Sequence, residues 1–367
     1  LSQNHLPKKV LICPLDWGLG HASRCIPLIR EFQKQGAIVY VGGADSAIDL
    51  LKKEFPALRF FALPAYNIRY PKNGTLMPLY MLFKIPDLMI TGYKEHKRLR
   101  KLHEQLGFDI VVSDNRFFCF NAKTISIYMT HQLIIPFPGW TRHFEFLGQF
   151  VHWCISLFYK KVLIPDYPEY PNLSGRIGHP EGASPRRVYT GPLSRLSALD
   201  ADNTIDTDVL FMISGPEPQR SLFEDKCVAI AKALKLQCVV LQGLPHKQTD
   251  SRPQANLRVI SHLSSEDISK MILSSNLVVS RSGYTTIMEL ASLKSRALLI
   301  PTPGQTEQEY LAEYLSEKNL CSFVSQKNLN EAVVLNALQS KSGFNNRDFV
   351  NPYPLLQRAI EGILETT

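Results

Sequence analysis

Three residues of this 367-residue chain have the type and the surroundings to do chemistry: Glu289, His21 and Asp114. Glu289 follows a short apolar strand over 277–279, a small polar turn from Ser280 to Gly283, and a helix start through Thr285 and Thr286. Backbone N–H groups at such a helix start suit a phosphate. A carboxylate further along the helix can accept both hydroxyls of a ribose. A second apolar strand over 297–300 ends at Pro301, and the loop after it carries Gln305 and Gln308. Strand, glycine turn, helix, strand and loop make half of a nucleotide-binding α/β unit. His21 closes the turn Asp16-Trp17-Gly18-Leu19-Gly20-His21, which follows a strand over 10–14. Gly18 and Gly20 let the chain turn tightly and let a ligand approach the backbone. A histidine at that point lies at the carboxyl edge of a sheet, where ligands bind. Asp114 ends a strand over 109–113, in S-D-N-R, where it can orient and charge-stabilise His21. Asp16, five residues before His21, is the rival partner.

These residues need a scaffold that carries them on strand ends. A helix over 22–35, stopped by Gly36, and a strand over 38–41 complete one βαβ unit. Strands over 59–62, 109–113 and 125–129 continue the series, and strands alternating with helices imply a parallel sheet covered on both faces. Two segments break the rhythm: 66–102, rich in Pro, Met, Tyr and Lys, and 134–171, rich in aromatics and Pro. Both read as insertions near the mouth of the first domain. The second half repeats the alternation. Strands are expected over 208–214, 237–241 and 259–261, and helices over 219–234 and 265–275. A last helix is expected over 354–365.

Length allows two ordinary domains, and a 45% apolar fraction is that of a globular protein. Domains are placed at 1–190 and 191–350, with 351–367 as a C-terminal helix. The seven cysteines are scattered, form no C-x-x-C pair and suggest a reducing compartment without a zinc site. No secretory signal is visible in the first nine residues, and no apolar run is long enough to span a membrane. The net charge of +8 is uneven: residues 1–190 carry 24 Lys and Arg against 14 Asp and Glu, and the remainder 17 against 19. A basic half suits an anionic membrane or a phosphorylated substrate. RNA-binding signatures with interleaved aromatics are absent, so nucleic acid is not expected. The basic run Lys94, Lys97, Arg98, Arg100 and Lys101 adjoins an apolar stretch over 76–90. Such a pairing can rest on an anionic membrane, although a solvated helix face is the plainer reading.

The stretch from 277 to 308 resembles the C-terminal signature of the two-domain UDP-sugar glycosyltransferases, and most of all the MurG-type family. Arg281, Ser282, Gly283, Thr286, Glu289, Pro301 and Gln308 match that signature in register. The resemblance implies a GT-B fold: α/β, with two Rossmann-like domains facing across a cleft, and the last helix packing back on the first domain. It implies a UDP-sugar as donor substrate, with Glu289 on the ribose and Gln308 on the sugar. Ser282, Gly283, Thr285 and Thr286 would form the nucleotide-binding helix start, and Leu263 would lie in the segment that reads the uracil edge. Arg195, in T-G-P-L-S-R, resembles the arginine of the family's domain-junction segment and would approach the diphosphate. Ser214, Gly215 and Arg220 occupy the place of the family's glycine-rich loop. That loop here has one Gly and two Pro, so Arg220 is expected to add a guanidinium suited to a diphosphate. Glu309 and Ala312 replace the family's Gln and Asn, so the resemblance reaches a UDP-sugar without fixing the sugar.

The resemblance further implies that Gly18 and Gly20 line the acceptor side and that His21 deprotonates an acceptor hydroxyl, as a neutral imidazole can. Transfer would be inverting. Arg195, Arg220 and helix N-termini would carry the leaving diphosphate, with no metal and no cofactor. The acceptor would be a carbohydrate or a lipid-linked precursor. The setting would be cytoplasmic, peripheral on the inner face of the plasma membrane. Two alternatives share the architecture: a UDP-N-acetylhexosamine epimerase, and a non-catalytic nucleotide-sugar-binding protein.

Overall fold

The computed structural model describes residues 6–66, 77–137, 143, 145–196, 206–244, 247–346 and 349–366. The chain divides into two compact units. One comprises Leu1–Ile68, Leu79–Leu193 and Asn351–Thr367, and the other is essentially Ser194–Val350.

The first unit is built on β1 (Lys9–Pro14), β2 (Ile38–Gly43), β3 (Arg59–Ala62), β4 (Ile110–Asp114), β5 (Ile125–Met129), β6 (Lys161–Ile164) and β7 (Arg187–Tyr189). These pair in the order β3-β2-β1-β4-β5-β6-β7, all parallel. The chain winds outward from β1 in both directions. A crevice therefore opens beyond the carboxyl ends of β1 and β4, the point at which such sheets bind ligands. The central strands are buried on both faces: Val10, Leu11, Ile12, Ile110, Val111 and Val112 are wholly enclosed. Each such side chain contributes roughly 1.5–3 kcal/mol relative to exposure.

Helices α1 (Leu19–Lys34), α2 (Asp45–Glu54), α3 (Met77–Leu106) and α4 (Glu145–Ser156) complete the run to Leu193. α1 starts three residues earlier than the sequence suggested, so Gly20 and His21 lie inside its first turn. The segments read as insertions contain most of α3, together with α4 and β6. α3 buries Gly92, Glu95, Leu99 and Leu102 on one face, while Phe83, Met89, Ile90 and Tyr93 stay exposed.

The returning segment forms α10 (Tyr353–Leu364), which buries Leu356, Ala359, Ile360 and Ile363. Its Tyr353 hydroxyl donates to Glu31 of α1 at 2.8 Å, and the Gln35 amide donates to the Gln357 carbonyl at 3.0 Å. Gly191 makes the approach possible. Its φ is +70°, and a Cβ there would lie 2.6 Å from Cβ of Pro352.

The second unit carries β8 (Thr207–Met212), β9 (Cys238–Leu241), β10 (Asp250–Gln254), β11 (Leu257–Ile260), β12 (Ser275–Ser280), β13 (Ala297–Leu299) and β14 (Ser322–Phe323). The order is β10-β11-β9-β8-β12-β13-β14, parallel except for β10, which pairs antiparallel with β11. Without β10, the winding is the same as in the first unit, and its switch point lies between β8 and β12. The sequence holds two D-x-D runs that read as polar linker, Asp200-Ala201-Asp202 and Asp206-Thr207-Asp208, but the second leads into and begins β8. Asp200-Ala201-Asp202 lies outside the described residues. The helices are α5 (Gln219–Ala233), α6 (Ser265–Leu273), α7 (Tyr284–Ser292), α8 (Thr306–Glu317) and α9 (Glu331–Gln339). Ser264 caps α6 by accepting from the Asp267 N–H at 3.1 Å. One core, including Phe211, Phe223, Val240, Val279 and Ile300, binds the sheet to α5 and α9.

Candidate active site

Two groups of residues gather at the two switch points, one in each unit. In the first unit, Gly18 takes φ +152°, which suits glycine, and turns the chain from β1 into α1. His21, in the first turn, places Nδ1 3.0 Å from Oδ2 of Asp114, at the end of β4. Asp114 is the partner of His21. Asp16 instead accepts from the Tyr66 N–H at 2.9 Å and lies 3.5 Å from Arg116.

Asp114 is fully buried and also receives Arg24, one helical turn beyond His21, through Nε and Nη2. Burial opposes its ionisation, but Arg24 and His21 outweigh burial and hold its carboxyl at about 2. The His21 pKa is lowered, first by burial, then by Arg24, with Asp114 pulling the other way. A neutral imidazole backed by an ionised carboxylate is the arrangement of a general base and its orienter.

The residue after next from Asp114 braces the same turn from its other side. Arg116 donates to the Pro14 carbonyl at 3.0 Å and to Glu95 of α3 at 2.7 Å. Asn115 between them takes a positive φ of 55°, which lets two adjacent side chains part. Sequence reasoning missed Arg24, Arg116 and His131. The signal for Arg24 was its i+3 spacing from His21.

In the second unit, α7 begins at Gly283, which provides no capping side chain, and Thr285 and Thr286 are half-exposed on its first turn. Glu289 is buried, and its Oε1 accepts from Nε of Arg195 at 3.1 Å. Burial raises its pKa, and Arg195 only partly offsets this. Glu289 is thus an enclosed carboxylate held by Arg195. Ser282 donates to the Gln308 carbonyl at 2.8 Å. The Gln308 side chain accepts from the Thr302 N–H at 2.9 Å and donates to Gln305 at 2.5 Å.

Arg281 is a brace. It is buried over the Phe223 ring and donates to the carbonyls of Gln219, Ile300 and Pro301. Burial lowers its pKa to about 10. Ser214 and Gly215 are exposed at the turn after β8, and Gly215 takes φ +109°. Arg220 differs from expectation. Its guanidinium is filled by Glu217 at 2.7 Å, Glu224 at 2.6 Å and the Gln242 carbonyl at 3.2 Å. Two acidic neighbours on or beside its own helix claim the fork that the sequence assigned to a diphosphate. Leu263 is half-buried and lines a groove with Arg258, Lys270 and Met271.

Residues 224–349 match the glycosyltransferase family 28 C-terminal domain. A relative from Natranaerobius thermophilus is 32% identical over 356 residues, covering 90% of each chain. It is named UDP-N-acetylglucosamine–N-acetylmuramyl-(pentapeptide) pyrophosphoryl-undecaprenol N-acetylglucosamine transferase. The chain belongs to the MurG-type glycosyltransferases. Solved structures agree on the fold of this glycosyltransferase. MurG of Acinetobacter baumannii superposes with a TM-score of 0.58 at 14% identity, covering 98% of this chain and 99% of that one. The spinosyn rhamnosyltransferase SpnG gives 0.62 at 13%, covering 98% and 96%. The fold is therefore GT-B, as the residues between 277 and 308 implied.

Proposed function

We propose that this glycosyltransferase moves a hexosyl or N-acetylhexosaminyl group from a UDP-sugar to a hydroxyl of a lipid-linked, cell-envelope acceptor. The observation that carries the reading is the His21–Asp114 pair at the β1/β4 switch point, with Nδ1 3.0 Å from the carboxylate. Nε2 takes the acceptor proton, and the oxygen attacks the anomeric carbon from the face opposite UDP, inverting it. Gly18 and Gly20 give the acceptor room beside His21. On the donor side, Glu289 accepts the ribose hydroxyls and Gln308 meets the sugar. Ser282, Gly283, Thr285 and Thr286 take the nucleotide at the start of α7, and Leu263 lies at the base. The departing diphosphate is held by the α7 N-terminus, Ser214, Gly215 and Arg195. In this reading the leaving group is stabilised without a metal, and Arg220 shapes its loop through Glu217 and Glu224.

The acceptor class and the setting rest on a surface. α3 exposes Phe83, Ile85, Met89, Ile90 and Tyr93 ahead of Lys94, Lys97, Arg98, Arg100 and Lys101. α4 exposes Phe146, Phe150, Val151 and Trp153. Phe120 joins the two segments, with its ring centroid 4.7 Å from His96 and 4.6 Å from Phe158. Apolar side chains beside clustered cations suit an anionic leaflet, here the inner face of the plasma membrane. No described helix is long and apolar enough to cross a membrane.

The test is UDP release from a panel of UDP-sugars with vesicles carrying a polyprenyl-diphosphate-linked saccharide. His21→Ala should lose about 10²–10⁴-fold in turnover while keeping UDP affinity. Undiminished turnover would remove His21 from the role of base.

A further inference from the structure

Beside the candidate base and its buried carboxylate partner lies a buried cation, Arg24, which neither the motif nor the family signature singles out. It is 2% exposed and makes three kinds of contact. Nε and Nη2 hold both oxygens of Asp114, at 3.1 and 3.0 Å for Nε. Nη2 also lies 2.9 Å from Nδ1 of His21, the same atom that lies 3.0 Å from Asp114. Nη1 lies 3.2 Å from Nδ1 of His131, which follows β5 and is itself buried.

Two partners of opposite sense thus converge on one ring nitrogen. Asp114 is only an acceptor and favours an N–H at Nδ1. Arg24 is only a donor and favours a lone pair there. The first arrangement leaves Nε2 with the lone pair that a base needs, and the second puts the proton on Nε2. A second proton on the ring would face the guanidinium at close range. Meanwhile the charge of Asp114, which would welcome that proton, is already engaged by Arg24.

We propose that Arg24 is a positioning residue for His21: it fixes Asp114 against the ring, competes for Nδ1, and keeps the imidazole from taking a second proton. His131 holds the far side of the guanidinium, so that the fork cannot swing away from Asp114. The charged or titratable groups facing His21 are Asp114, Arg24 and His131, and Cys25 faces Asp114 with Sγ 3.9 Å from Oδ2. This inference rests on the reading of His21 as the base, and its test is independent of turnover.

The experiment is an NMR titration of the full-length chain labelled with ¹⁵N-histidine, with the His21 resonances assigned by loss in His21→Gln. Arg24→Gln should raise the His21 pKa by about one unit or more, since a cation at contact is removed and Asp114 is released. Arg24→Lys keeps the charge but offers one point in place of a fork, and should give a smaller rise. It also decides the matter should the glutamine variant not fold. His21 titrating as in the wild type in whichever variants fold would overturn the proposal. Should His21 prove not to be the base, the His21→Ala turnover assay would show it while the titration still reported the effect of Arg24.

Discussion

Arg195 and Glu289 are bonded to each other, with Nε 3.1 Å from Oε1, and both side chains are largely enclosed. The two residues assigned to the diphosphate and to the ribose thus satisfy one another. In the proposed reading, donor binding exchanges that ion pair for two sets of substrate contacts. Hydrogen bonds to a charged partner contribute about 1.5–3 kcal/mol. Glu289→Gln should therefore weaken UDP binding by roughly ten- to a hundredfold, read by calorimetry at a temperature where the variant, which leaves Arg195 without its counter-ion, is still folded. Equal affinity in the variant would take Glu289 out of the ribose site.

Asp114→Asn keeps the shape of the orienter but loses its charge, and leaves Arg24 buried without its counter-ion. Turnover should fall by about 10²–10⁴-fold, with the KM for the donor little changed. A change confined to donor KM would mean that Asp114 acts on binding.

Acid should loosen the first unit as the pH falls below 6.5. His152 of α4 is buried with Nδ1 unpartnered, and burial lowers its pKa from 6.5 to about 4. An unfolded chain takes the proton first. The stability from neutral His152 is therefore intact above pH 6.5 and is lost as the pH falls towards 4. His21, also lowered, acts in the same direction. Asp114 adds stability above 3.8 that disappears as the pH falls through about 2. Urea unfolding should show a loss of about 2 kcal/mol between pH 7 and 5 from His152, and a visibly flatter dependence in His152→Phe. Identical slopes in the two proteins would contradict this.

Gly191→Ala should destabilise the first unit by about 2–3 kcal/mol. The new Cβ meets Pro352 and sits at a left-handed φ that alone costs about 1–2 kcal/mol. The same substitution at Gly215, where a Cβ meets open space, should cost only the conformational part. Urea midpoints that shift equally in the two variants would remove the Pro352 contact from the explanation.

Phe150→Asp with Trp153→Asp should abolish flotation with vesicles rich in anionic lipid, and Lys97→Glu with Arg98→Glu should weaken it in a salt-dependent way. Flotation that survives both changes would place any membrane contact elsewhere.

Much of this was legible in the residues. The strands over 59–62 and 125–129 emerge as written because short apolar, β-branched and aromatic runs are bounded by polar turns. His21, Asp114 and Glu289 were visible because glycine turns and strand ends mark ligand-binding edges. β7 was not, being three half-buried residues at a sheet edge. α3 was hidden by Pro86 and by apolar residues that stay exposed, so that its burial period appears only from Gly92 onwards. Arg24 was passed over because an arginine within a helix reads as solvent-facing, whereas here it is buried against Asp114. The occupation of Arg220 by Glu217 and Glu224 depends on side-chain geometry that a motif does not carry.

The most direct test of the central claim is calorimetric titration of the wild-type chain with UDP, beside ADP and GDP. Binding of UDP at least tenfold tighter than either purine nucleotide is the predicted result. Equal binding of all three, or none of UDP, would contradict the assignment of a UDP-sugar donor.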